Sequence, residues 1–176
     1  MPGLAVGVAA RAARRGVEGK EQPPSRAGHD GPRSTNFSQE RIDNIALIGG
    51  QQNPPRIVDT IAVEQIPEGV TMSPDGNYVA AIMQNGSNKP SSHPNYHKGS
   101  ALSIFRINGT KLTLAAKAEF GAWGQGVAWS KDGKTLLAQS MADKLIDVFS
   151  FDGKALKKTG NIKVNGGAAG IRTAFD

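Results

Sequence analysis

Residue types able to do chemistry are sparse in this sequence and fall mostly between Glu68 and Arg172. His93-Pro94-Asn95-Tyr96-His97 sets two imidazoles four residues apart. On a helix that spacing would aim both at one metal ion, but Pro94 disrupts a helix there. With Glu68 from another loop, the pair would make a His2Glu set for a divalent metal, the one cofactor this chain suggests. The structural reading of the same residues is a solvated polar loop. Glu68 by itself is a carboxylate able to act as a general base, and Arg172 is a planar guanidinium able to hold an anionic group. Tyr96, Trp123 and Gln125 offer ring faces and an amide to a small-molecule ligand, while Trp123 and Gln125 equally suit a seam between packed elements.

What is missing narrows the classes. The 176 residues include no Cys, which excludes a disulfide scaffold, a thiolate metal site and a Cys nucleophile. There is no Gly-x-Ser-x-Gly elbow and no P-loop. Gly121-Ala122-Trp123-Gly124-Gln125-Gly126 has the wrong spacing and context for a dinucleotide. The net charge of +6 is spread along the chain. Lys154, Lys157 and Lys158 read as gatekeepers on a strand edge, and no aromatic platform accompanies them, so nucleic acid is not an expected partner. No window approaches the ~20 apolar residues that a transmembrane helix needs.

The elements that must position these residues come in two textures. Residues 1–42 have no large apolar residue between Val17 and Phe37 and are rich in Ala, Arg, Pro and Gly. Such a stretch cannot bury enough surface to offset its ordering entropy, so it reads as a disordered, low-complexity extension, or as the product of a misplaced gene start. In Met1–Arg15 a small apolar run precedes the arginines, the reverse of a secretory signal, although an acid-free, Arg-bearing start also mimics an organelle transit peptide.

From Asp43 onward, short alternating apolar runs punctuated by turn dipeptides predict β-strands. The chain repeats itself there. Gly126-Val127-Ala128-Trp129-Ser130-Lys131-Asp132-Gly133 lies over Gly69-Val70-Thr71-Met72-Ser73-Pro74-Asp75-Gly76, 57 residues apart. Val148-Phe149-Ser150-Phe151-Asp152-Gly153 lies over Ile104-Phe105-Arg106-Ile107-Asn108-Gly109, 44 apart, as does Gly170-Ile171 over Gly126-Val127. The unit is therefore 44 residues, with a 13-residue insertion between Gln84 and Leu102 in the first copy. Each unit resolves into four strands, A to D, with Asn108-Gly109 and Asp152-Gly153 predicted as type I′ hairpin turns. Four strands in about 40–45 residues is one blade of a β-propeller. The predicted fold is thus all-β, a partial β-propeller of about three blade equivalents of four-stranded antiparallel sheets. Residues 43–66 supply strands C and D of one blade, 67–121 a full blade with a long B–C insertion, 122–166 a second full blade, and 167–176 the first strand of the next.

Ile57-Val58-Asp59-Thr60-Ile61-Ala62-Val63 followed by Pro67-Glu68-Gly69-Val70-Thr71-Met72-Ser73-Pro74-Asp75-Gly76 resembles the YVTN-type repeat of lactonase-like seven-bladed β-propellers, within the quinoprotein amine dehydrogenase β-chain-like superfamily. Gly86-Ser87-Asn88-Lys89-Pro90 and Gly167-Ala168-Ala169-Gly170-Ile171-Arg172 resemble the C-terminal half of such proteins. Seven units would need roughly 300 residues, so the resemblance implies that this chain is a fragment. Self-association, or a protein partner completing the propeller, is then expected. The family also implies a periplasmic or extracellular setting. Fold-level analogy further places D–A and B–C loops on one rim, gathering Glu68, His93, Tyr96, His97, Trp123, Gln125 and Arg172.

The leading expectation is a scaffold or binding module with no catalytic motif, surface recognition being a variant of it. The rival is a lactonase-like hydrolase of the 6-phosphogluconolactonase type, with Glu68 as base, Arg172 on an anionic substrate group, and His93 and His97 on a metal.

Overall fold

The computed structural model describes residues 6–11, 43–49 and 54–174. Among them every regular element is a strand: β1 (Val6–Arg11), β2 (Asp43–Gly49), β3 (Arg56–Val63), β4 (Pro67–Met72), β5 (Tyr78–Met83), β6 (Ser100–Asn108), β7 (Lys111–Phe120), β8 (Gly124–Trp129), β9 (Thr135–Ser140), β10 (Leu145–Phe151) and β11 (Leu156–Lys163). They form three antiparallel sheets, β1-β2-β3, β4-β5-β6-β7 and β8-β9-β10-β11. The two four-stranded sheets are the predicted blades, with strands A to D in chain order.

Each A–B hairpin is closed by the same side chains. Ser73 Oγ donates to Asp75 Oδ1 at 2.5 Å and accepts from the Tyr78 N–H at 2.9 Å, while Asp75 Oδ1 also accepts the Asn77 N–H at 3.0 Å. Ser130, Asp132, Lys134 and Thr135 repeat this pattern at 2.6, 3.0 and 2.9 Å. The C–D turns differ from expectation. In the first, Asn108 pairs with Lys111, so Gly109 and Thr110 are the central residues, and only Gly109 has a positive φ, 60°. Glycine at the first central position suits a type II′ turn. In the second, four residues intervene between β10 and β11, and Asp152 Oδ1 caps the N–H groups of Lys154 and Ala155. An Asx cap there replaces the two-residue turn.

Because strand side chains alternate, a blade carries an apolar set on each face, and the β4–β7 blade buries both. Ile45 and Leu47 of β2 pack on Val79, Ala81, Met83 and Phe105 of the next blade. From the opposite face of that blade, Ala80, Ile82, Leu102 and Ile104 pack on Val127, Trp129, Leu136, Phe149 and Phe151. Tyr78 and Trp129 meet Phe151 edge-on, with ring centroids 5.0 and 5.9 Å apart. Fully burying one such side chain contributes about 1.5–3 kcal/mol, whereas a surface pair such as Lys111–Asp59, with its lysine in solvent, contributes little. The apolar seams therefore hold the blades together. Inside the second seam, buried Asp147 accepts the Ser140 hydroxyl at 2.7 Å and faces the Lys158 ammonium at 2.6 Å.

Two regions depart from the sequence reading. Within 1–42, read as unstructured, β1 pairs with β2 from Val6↔Gly49 to Arg11↔Asn44 and so occupies the strand B position of the first blade. Strand β3 takes one edge of β2, and the other edge offers unpaired N–H and C=O groups that an extended segment satisfies. The rest of 1–42 lies outside the described residues. At the other end, Gly170–Ala174 forms no ladder. It lies against β8, where Thr173 Oγ1 donates to the Trp129 carbonyl at 2.8 Å.

Both hairpin carboxylates are held below the ordinary Asp range. At Asp75 partial burial pulls upward, but the Ser73 hydroxyl and the Asn77 backbone and amide groups outweigh it. At Asp132 the Ser130 hydroxyl acts most strongly, then the Lys134 N–H. The folded chain thus resists protonation to a lower pH than the unfolded chain. Stability from these hairpins is complete above the ordinary Asp value of about 3.9 and is lost as pH falls below it. Thermal melts from about pH 6 to about pH 2 are expected to stay level to about pH 4 and then fall. The Asp75→Asn/Asp132→Asn double variant should show a shallower fall; an equally steep one would detach the acid limb from these turns.

Candidate functional site

The inner strands of the arc border a half-open cavity of about 570 Å³ lined by Gly69–Thr71 of β4, Gly126–Val127 of β8 and Gly170–Thr173. These are three copies of one strand A register, so the repeat itself assembles the lining. Glycine recurs there because neighbouring backbones pass very close. A Cβ on Gly69 would collide with the Gln125 carbonyl oxygen, and one on Gly126 with the Gln139 amide and Ile171. The polar groups facing the cavity come from Thr71, Arg172, Thr173 and the backbone.

Above the inner strands, D–A corners and B–C loops do share one rim. Gln84 N–H donates to the Ile66 carbonyl at 2.9 Å, and Met141 N–H donates to that of Trp123 at 3.1 Å. Both corner residues adopt left-handed backbone, φ 58° at Ile66 and 57° at Trp123. A side-chain oxygen restrains each. Asp43 Oδ2 accepts the Ile66 N–H at 2.6 Å, and Ser87 Oγ accepts the Trp123 N–H at 2.9 Å. Ser100 Oγ accepts the Gly124 N–H at 2.8 Å and lies 3.0 Å from Ser87 Oγ. The insertion folds back on itself through successive turns. Gly86, at φ 67°, sits where a Cβ would strike the Asn95 carbonyl oxygen, so glycine is required on both counts.

The seven singled-out residues are placed as follows. Arg172 is exposed and lines the cavity. Glu68, exposed, and Gln125, half-buried, each precede a lining glycine at equivalent positions. Trp123 is a half-buried corner residue. His93, Tyr96 and His97 lie in the insertion. His93 Nδ1 accepts the Asn95 N–H at 3.1 Å, which occupies one ring nitrogen with a local turn. His97 is exposed and lies close enough to Glu64 to act on that carboxyl. Among the described residues no three of His, Cys, Asp and Glu group as a metal site, so the expected His93/His97/Glu68 set does not assemble. Pro94 and the Asn95 turn keep the two histidines off a common helical face.

Sequence reasoning missed two groups. Glu64 accepts from Lys117 and, at 2.7 Å, from the Asn85 amide. Partial burial pushes its carboxyl up, but those two bonds and the positive charges of Lys117 and His97 hold it below the ordinary range. Gln139 is buried, accepts the Gly126 N–H and donates to the Gly170 carbonyl, both at 3.2 Å. Its signal was present: the equivalent position in the preceding blade, 57 residues earlier, is the apolar Ile82.

No protein-family model matches the chain, and no curated protein matches it. Solved structures do. A candidate 6-phosphogluconolactonase from Bacteroides fragilis superposes with a TM-score of 0.57 at 20% identity, covering 69% of this chain and 33% of that one. The periplasmic gluconolactonase of Pseudomonas aeruginosa gives 0.56 at 14% identity, covering 72% and 35%. Sqt1 of Saccharomyces cerevisiae gives 0.52 at 9%, covering 69% and 30%. The fold is that of part of a β-propeller. At these identities the likeness shows the fold alone, and the chain spans about a third of the length of each structure.

The close pass of inner strands is testable. Gly69→Ala is expected to destabilise by about 1–3 kcal/mol in thermal or urea denaturation, as overpacking against a fixed backbone does. Gly160→Ala on β11, where a Cβ meets nothing within 4 Å, should be neutral or stabilising. Equal effects of the two would remove the packing argument.

Proposed function

We propose that this arc belongs to a YVTN-type propeller and acts as a binding module. Its inner-strand cavity takes a small polyhydroxylated anion of the sugar-acid class. The cavity lining supports this reading: threonine hydroxyls, backbone groups and one guanidinium, with no carboxylate or imidazole among them. Arg172 is suited to a carboxylate or phosphate through paired N–H donors, and Thr71 and Thr173 to hydroxyls. Trp123, Gln125 and Tyr96 are assigned to the rim around the bound molecule. Gluconate is expected to bind the full chain in calorimetry, and Arg172→Ala to weaken it at least about tenfold, the effect of losing a charge-assisted pair. Unchanged affinity in Arg172→Ala would sink this reading.

A second reading, lactone hydrolysis, is favoured by the likeness to gluconolactonase structures and by Glu68 standing one residue from the lining. There Glu68 would draw a proton from water attacking the lactone carbonyl, and Arg172 would hold the substrate anion. Turnover of δ-gluconolactone above the spontaneous rate, abolished by Glu68→Gln, separates it from simple binding.

The free face of the β8–β11 blade supports a partner. By strand register Leu137, Ile146, Val148 and Ile162 share it. Ile146 and Val148 match Leu102 and Ile104, which are completely buried by the next blade, whereas Ile162 is 49% exposed. An adjoining blade, from a second copy or a longer chain, covers this face. Light scattering is expected to find the chain associated, and Val148→Lys to dissociate it; a compact monomer would refute this.

A further inference from the structure

Residues 167–174 carry Arg172 into the cavity, yet they belong to no ladder. Backbone alone does not hold this arm. Ile171 sits against Gly126, Thr173 Oγ1 bonds the Trp129 carbonyl at 2.8 Å, and Gln139 Nε2 donates to the Gly170 carbonyl at 3.2 Å. Gln139 is nine-tenths buried or more, and its Oε1 accepts the Gly126 N–H. One amide thus spans two inner strands two residues before Arg172. At the preceding junction the equivalent residue, Ile82, fills the same place by apolar contact with Gly124, the first residue of the following inner strand. There the following strand has a ladder partner of its own and needs no clip. Burying a primary amide is unfavourable unless both ends are bonded, so a glutamine at an apolar repeat position is explained by the two bonds it makes.

We infer that Gln139 is a positioning residue: its buried amide clips the 167–174 arm to β8 and so fixes the Arg172 guanidinium over the cavity for an anionic ligand. Gln139 does not touch the ligand. It sets the population of chain in which Arg172 is in place, and apparent affinity scales with that population. The ligand half of this inference rests on the cavity reading above; the clip itself does not.

The test uses the full chain. In Gln139→Met the side chain keeps its length but loses both bonds. Backbone order parameters at Ile171–Thr173 should then fall to flexible values, and trypsin cleavage after Arg172 should accelerate about tenfold, the effect of one or two ordinary hydrogen bonds, while β9 and β10 stay rigid. Gluconate affinity should fall by a similar factor, with no further fall when Gln139→Met is added to Arg172→Ala. A merely structural role would weaken both backgrounds equally.

Gln139→Glu supplies a second, reversible variant. As a carboxylate it still accepts the Gly126 N–H but repels the Gly170 carbonyl. Protonated, it regains a donor, and burial favours that form. Order parameters at 171–173 should therefore be low near neutral pH and rise on acidification, a pH dependence absent in Gln139→Met. Unchanged order parameters and cleavage rates in both variants would overturn the proposal. A loosened arm with no gluconate binding by any variant, wild type included, would uphold the clip and dismiss the cavity reading.

Discussion

The arc depends on how closely its inner strands approach one another. Blades are wedges: their outer strands have room, and their inner strands do not. Where β4 passes β8, Gly69 lies against the Gln125 carbonyl, and where β8 passes the 167–174 arm, Gly126 lies against Ile171. A side chain at Gly69 would push two blades apart and open the apolar seam between them, and one at Gly126 would displace the Gln139 amide and the arm. The same closeness creates the cavity, because backbone and small residues line a space that bulky side chains would fill. Stability and the candidate site thus share one constraint.

Repetition explains the scaffold, and departures from it mark the places of interest. The Ser-Asp hairpin closures of the two blades agree to about 0.1 Å in their paired hydrogen bonds, and the left-handed corners at Ile66 and Trp123 agree in φ to within 1°. Such features recur because each blade solves the same problem. Gln139 where its sibling has Ile82, Arg172 where its siblings have Thr71 and Ala128, and the long loop after Gln84 do not recur. Nothing in blade construction asks for them. A binding module on a repeat scaffold is expected to differ at such positions, since recognition needs an asymmetric set of groups.

The charged rim illustrates a limit of reading chemistry from residue type. His93, His97 and Glu68 look like a ligand set when written in a row, but a metal needs convergent lone pairs rather than a shared rim. The Asn95 turn occupies His93 Nδ1, and His97 acts on Glu64. The carboxylate that matters electrostatically on this rim was hidden at the end of a strand, where its neighbours Asn85 and Lys117 lie 21 and 53 residues away.

From the sequence alone, the period, the four strands per unit, the alternating faces and the Ser-Asp turns were all legible. They arise from local rules, namely side-chain alternation, turn chemistry and a repeat that displays its own alignment. Even there, the exact turn register at Gly109 escaped, because Asn-Gly satisfies two hairpin types and strand pairing chooses between them. Only the tertiary structure decided that β1 joins the first sheet, that Gly170–Ala174 leans on β8 without a ladder, and that the Gln139 amide bonds both Gly126 and Gly170 beside the cavity that Arg172 lines. Each depends on groups tens of residues apart meeting across a seam, and period and propensity carry no information about which of them meet.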